Sequence, residues 1–246
     1  MTDALTVARK EIREILGGGS RKGLLREAIL VFLFGVFFPL TQAAAWRDGV
    51  APAVFFLVIP LFIAGPHVAD SFAGEKERKT LETLLATRLP DSAVYLGKVL
   101  AVCLYSWALI WTMLATSLVA LNLLAPNGGW FVYPGPVWLA VGVGSLASAL
   151  LIAGIGTFIS LRSETVRGAH QALMLPLLLI VFGLSLGLPA LFRVLPADVQ
   201  ARLILWAEGV SALQALAWAL GILLAVDAVL IWLGVRHFRR GRLIAG

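Results

Sequence analysis

Residues 72–98 read Phe-Ala-Gly-Glu-Lys-Glu-Arg-Lys-Thr-Leu-Glu-Thr-Leu-Leu-Ala-Thr-Arg-Leu-Pro-Asp-Ser-Ala-Val-Tyr-Leu-Gly-Lys. This is the one long polar interruption in an apolar chain. It is too charged to lie in lipid, and its pattern is too ordered for a slack linker. Leu81, Leu84 and Leu85 fall at i, i+3, i+4, one face of a short helix. Glu75, Lys76, Glu77, Arg78 and Lys79 precede that face. Pro90 closes the segment, and Asp91 or Ser92 can cap a following helix. A short amphipathic helix between two membrane spans suits contact with a soluble partner.

The surrounding composition makes this a membrane protein. Of the 246 residues, 60% are hydrophobic and 14% charged, about half the charged share of an ordinary soluble domain. A helix needs about 20 apolar residues to cross the hydrocarbon core. No alternating ten-residue segments suggest a barrel. The expected fold is therefore all-α, with six transmembrane helices at 24–46, 50–70, 99–124, 137–159, 169–188 and 208–235. An N-terminal interfacial helix covers 1–19, and a cytoplasmic loop region covers 73–90. The whole chain, 1–246, reads as a single transmembrane domain.

Each boundary has a local reason. In residues 1–16, Leu5, Ala8, Ile12, Ile15 and Leu16 share a face. Arg9, Lys10, Arg13 and Glu14 lie largely elsewhere, as in a helix lying along a bilayer surface. Gly17-Gly18-Gly19 breaks it. Ala43-Ala44-Ala45 resembles a signal-peptidase site, but the charged region before the apolar run is too long for a signal peptide. Arg47-Asp48-Gly49 makes a turn. Pro52, Pro60 and Pro66 in the second span free backbone carbonyls that neighbouring helices must satisfy. No charge occurs between Lys98 and Arg162, an interval fitting two spans with a break at 125–129. Trp130, Phe131, Tyr133 and Trp138 are aromatic anchors beside that break. Gly144, Ser145, Ser148, Ala149, Ala153, Gly154 and Gly156 let the fourth span approach another helix closely. Packing within the chain is the first use for that face, and a dimer interface the second. Val199, Leu203 and Trp206 share a face of a short segment expected to lie flat on the outer surface.

The charge distribution sets the orientation. Only Arg47, Arg193 and Arg202 fall on one side. The remaining 17 of the 20 Lys and Arg residues fall on the other. The positive-inside rule puts both termini and the 73–90 region in the cytoplasm. The net charge of +6 then reflects topology and contact with the lipid bilayer, not nucleic acid.

The run Gly74 to Leu85, followed by Pro90 and Leu96-Gly97-Lys98, resembles the permease subunits of the ABC-2 type of ATP-binding cassette exporters. The resemblance implies that 73–90 is a coupling region docking on a separate cytoplasmic ATPase subunit, with ATP and magnesium held there and no cofactor on this chain. It implies pairing with a second permease copy or a related permease, in the inner membrane. Leu81, Leu84 and Leu85 are then the apolar plug, and Glu75, Glu77, Arg78 and Glu82 the ionic rim that sets register. The helix over 1–19 resembles the family's elbow helix. The rival reading is a membrane scaffold or assembly factor that anchors such an ATPase and acts on partner proteins without carrying cargo.

Catalytic patterns are lacking in the sequence. Gly97-Lys98-Val99 has neither the upstream glycine nor the following Ser or Thr of a Walker A loop. His67, His170 and His237 are too scattered to suggest zinc. Cys103 is the only cysteine, so an intrachain disulfide is impossible. His67 and Asp70 read as interface residues before a proton relay. Asp227 is the one acid well inside a span. It can be part of a translocation path or a helix-packing group, and Gln42, Asn122 and Gln171 carry weaker versions of the same two readings.

Overall fold

In the computed structural model, the described residues are 2–17, 21–80, 86–126 and 128–237, and those with regular structure are helical. Helix α1 is Thr2–Gly17. Among the described residues, six helices are long and apolar enough to cross a membrane. These are α2 (Gly23–Thr41), α4 (Val50–Glu77), α5 (Asp91–Leu123), α6 (Gly135–Arg162), α7 (Val166–Val194) and α9 (Ala212–His237, apolar over Leu213–Arg236). Two shorter helices are α3 (Ala43–Arg47) and α8 (Ala197–Glu208).

The core is built on α6. Its small residues Ser145, Ser148, Ala149, Ala153, Gly154 and Gly156 are all buried. They bring α6 against α4, α5 and α9. A β-carbon on Gly156 would lie 2.5 Å from a Val68 side-chain methyl of α4, so the α6 backbone packs on that side chain where only hydrogen fits. Of the two uses expected for this face, packing within the chain is what the structure displays. Ser160 adds a polar tie. Its hydroxyl donates to the Ala69 carbonyl at 2.8 Å and accepts from the Ala73 and Phe72 amides at 2.9 and 3.1 Å. Phe72, Val94, Tyr95, Val99, Ile152 and Leu173 close around this centre.

The helices run further than hydropathy alone indicates. α4 does not stop at Asp70 but continues to Glu77, and α5 begins at Asp91 instead of 99. Both extensions are polar or amphipathic turns that another helix covers, so they are helical without being apolar. The first span is shorter than expected. It ends at Thr41, and Gln42 (φ −127°, ψ 41°) separates it from α3. Short π-helical stretches at Leu33–Phe37, Ala140–Gly144 and Gly183–Gly187 widen α2, α6 and α7 by one residue each.

One end of the bundle is closed by the 42–50 and 123–138 connections. Asn122 clamps the second of these, donating to the Phe131 carbonyl at 3.0 Å while its own carbonyl accepts from the Phe131 amide at 2.6 Å. Tyr133 is buried, and its hydroxyl lies 2.8 Å from that of Ser117. Burial pushes the Tyr133 phenol up to about 12. Arg47 donates to the carbonyls of Leu121 and Ala125, stopping α5.

By contrast, α7 is exposed along nearly its whole length, with only Ala169, Leu173 and Met174 of its first part buried. α9 is buried only along the stripe Leu220, Asp227 and Gly234. Leu175, Leu179, Phe182, Leu186, Trp218 and Ile222 all face outward.

Candidate functional site at the base of the polar loop

At the opposite end, α1, the last turn of α4, the start of α5 and the α6–α7 turn come together around the start of the 73–90 region. Glu75, Lys76 and Glu77 do not open a separate short helix. They form the last turn of α4, and the chain leaves the helix at Arg78. Lys79 adopts a left-handed conformation at φ 57°. The Thr80 amide bonds back to the Glu75 carbonyl and the Lys79 amide to that of Lys76. This is a Schellman stop with lysine where glycine is usual. The tertiary contacts of this turn explain why α4 extends so far.

Each residue of the turn holds a different neighbour. Glu75 is buried. Its carboxylate accepts from the Thr80 hydroxyl and pairs with Lys98 of α5 at 3.4 Å. Lys76 donates to the carbonyls of Leu161 and Ser163 at the end of α6. Glu77 accepts the Val166 amide at 2.9 Å, satisfying an open donor at the start of α7. Arg78 reaches back to Asp70 at 3.1 Å. Burial opposes the charge on Arg78, but the Asp70 carboxylate outweighs it and raises the guanidinium pKa above its ordinary value.

Lys98 is the hub. It sits two turns inside α5, with its side chain only 1% exposed. Its ammonium donates to Glu11 of α1 and to the Ser71 carbonyl of α4, each at 2.8 Å, and lies 5.2 Å from the centre of the Phe72 ring. A buried ammonium of this kind persists only with such partners. Helix α1 therefore packs on α5 through Val7, Ala8 and Glu11, while Leu5 and Leu16 of its expected apolar face stay exposed. Gly97 permits the approach, since a β-carbon there would lie 2.5 Å from Val7 Cβ. Also on α1, Lys10 pairs with Glu14 at 3.0 Å and lies 3.9 Å from Glu11. Burial lowers the Lys10 pKa, but Glu14, Glu11 and Glu75 outweigh it and raise the value above the usual one for lysine.

The other candidates disperse. Leu81, Glu82, Leu84 and Leu85 lie outside the described residues. Gln42, at the break between α2 and α3, and Gln171, on α7, are both exposed, and Asn122 belongs to the loop clamp at the other end. His67 and Asp70 do not form a pair: Asp70 holds Arg78, while His67 lies 3.5 Å from Arg26 and against the Tyr105 ring. Asp227 is 3% exposed on the inner face of α9, and neither carboxylate oxygen has a hydrogen-bond partner among the described residues. A packing hydrogen bond thus has no partner there. From sequence, Lys98 enters as the end of the Leu96-Gly97-Lys98 motif, with no site role, and Glu11 not at all. The signal was present in a lysine directly after a glycine, at the edge of a long uncharged run.

Comparison with protein-family models finds no match. Among curated proteins, the chain is 32% identical over 161 residues to the ABC transporter permease protein NatB of Bacillus subtilis (strain 168). That stretch covers 59% of this chain and 41% of the relative, so the chain spans less than half of that protein's length. Over that stretch the chain is therefore similar to an ABC transporter permease, and its described residues form an all-α architecture with six membrane-length helices.

Proposed function

We propose that this chain is the permease subunit of an ATP-binding cassette exporter. It forms the translocation path and couples it to ATP hydrolysis on a separate cytoplasmic ATPase, which holds the ATP and magnesium. The observation that carries the reading is the wiring of the loop base. Glu75, Lys76 and Glu77 bind α5, α6 and α7 at once, and Lys98 brings in α1. A force applied beyond Arg78 reaches four other helices without slack. A handle of this kind is what a permease needs if a soluble motor is to move its membrane helices.

The remaining parts follow the same reading. The inner membrane is the location, with both termini and the loop in the cytoplasm, as the lysine and arginine distribution indicates. The exposed apolar length of α7 and α9 is area that lipid and a second permease subunit cover. Leu81, Leu84 and Leu85 are the apolar plug for the ATPase, with Glu82 and Arg78 on its rim. Glu75, buried inside the chain, anchors the handle instead of meeting the partner.

The test is the double change Leu84→Arg/Leu85→Arg in the full complex. The variant inserts in the membrane and loses co-purification with its ATPase. If the complex and its transport survive the change, the coupling assignment is wrong.

A further inference from the structure

Between α1, the start of α2 and the end of α4 lies a groove of about 1360 Å³. We infer that it is a binding site for the phosphate headgroup of an anionic glycerophospholipid, gripped by Arg9 and Arg13. The inference rests on the orientation proposed above, which puts this end of the bundle at the inner leaflet.

The charge balance of the groove carries the argument. Its walls hold acids and bases, but the acids are all engaged. Glu14 pairs with Lys10 at 3.0 Å, Glu27 with Arg26 at 3.8 Å and Asp70 with Arg78 at 3.1 Å. Glu11 and Glu75 share Lys98. Arg9 and Arg13 line the same groove, one helical turn apart, and neither has an ion-pair partner among the described residues. Two guanidinium groups at that spacing can bracket one phosphate with charge-assisted hydrogen bonds.

Shape selects a lipid over a free anion. The volume far exceeds what one phosphate fills and is on the scale of a large ligand pocket. Leu16 and Leu24 line it as well and are 57% and 58% exposed. Leu24 begins the exposed row Leu25, Ile29 and Phe32 on α2, so the groove wall continues into the surface that faces the hydrocarbon. A headgroup can sit between the arginines while its chains run along that row. A soluble acidic partner would leave the apolar wall uncovered.

The experiment uses the purified full-length chain in detergent, titrated with phosphatidylglycerol or phosphatidylcholine and followed by native mass spectrometry. The wild type binds phosphatidylglycerol at least about tenfold more tightly than Arg9→Ala/Arg13→Ala, and phosphatidylcholine binding does not change. Arg162→Ala/Arg167→Ala, at the α6–α7 turn, behaves as wild type. Equal phosphatidylglycerol binding by wild type and the Arg9/Arg13 variant overturns the inference. Displacement of the lipid by millimolar inorganic phosphate replaces it with a free-anion site. Loss of the ATPase with lipid binding unchanged assigns the arginines to a protein contact instead. Labelling of Leu5→Cys from each side of sealed vesicles separates the two readings. Reaction from the outer side sinks the orientation, while the binding comparison stands or falls by itself.

Discussion

Lys98 of the third span and Glu11 of the N-terminal helix meet at 2.8 Å, almost sealed from solvent, although 87 positions separate them in the chain. The pair pins a surface helix to the membrane bundle, and Glu75 makes it a triad that includes the base of the polar loop.

Removing the ammonium leaves the Glu11 and Glu75 carboxylates with only the half-exposed Lys10, 3.9 Å from Glu11, as counter-charge. Lys98→Met is expected to destabilise the protein by about 3–5 kcal/mol. Glu11→Gln, which keeps Glu75 as partner, costs less. Thermal unfolding in detergent, followed by tryptophan fluorescence, ranks the two. Equal midpoints for Lys98→Met and wild type would show that the triad contributes nothing to stability.

Close approach at Gly97 gives a steric test of the same contact. Gly97→Ala drives a methyl group into Val7 Cβ and pushes α1 off α5. Protease cleavage within residues 2–17 should become faster. Adding Val7→Gly should restore part of the protection, although the Ala4 carbonyl at 2.9 Å still crowds the new methyl. Unchanged cleavage in the single variant contradicts the packing.

Ser160 joins α6 to α4 through one hydroxyl on three backbone groups. Ser160→Ala loses these bonds and costs about 1–3 kcal/mol. Ser160→Cys keeps the size with a weaker donor and should fall between. The unfolding midpoints of the three proteins check the order.

Asp227 makes no hydrogen bond within the described residues, so the fold does not rely on its charge. Asp227→Asn should leave insertion and ATPase assembly intact and the thermal midpoint unchanged or higher, because an uncompensated buried carboxylate is removed. Transport by the complex should fall, since a buried carboxyl with no hydrogen-bond partner among the described residues is free to act in the path. A variant that unfolds, or that transports like wild type, removes Asp227 from the path.

The Schellman stop offers a stabilising change. Lys79→Gly relieves the left-handed strain at φ 57° and should gain up to about 1 kcal/mol, at no loss of contacts if the lysine side chain is free at the surface. A lower unfolding midpoint would mean that the Lys79 side chain has a role of its own.

Much of the architecture was legible in the amino-acid order because lipid allows few solutions. An uncharged stretch of span length must be helical to satisfy its own backbone, and the small residues of 144–156 announce a close helix contact. The six membrane-length helices and the burial of that small-residue face follow from such local rules. Helix ends were less legible. α4 runs past Asp70 and α5 begins before Val99 because other helices cover those polar turns, and hydropathy does not register that cover. The site was legible only as a region. Composition marks 73–90 as polar, but it cannot say that Glu75 turns inward, that Lys98 is buried, or that Glu11 belongs beside both. Those facts depend on three helices distant in sequence meeting at one point, and a buried charge has its meaning only from the groups the fold brings within reach.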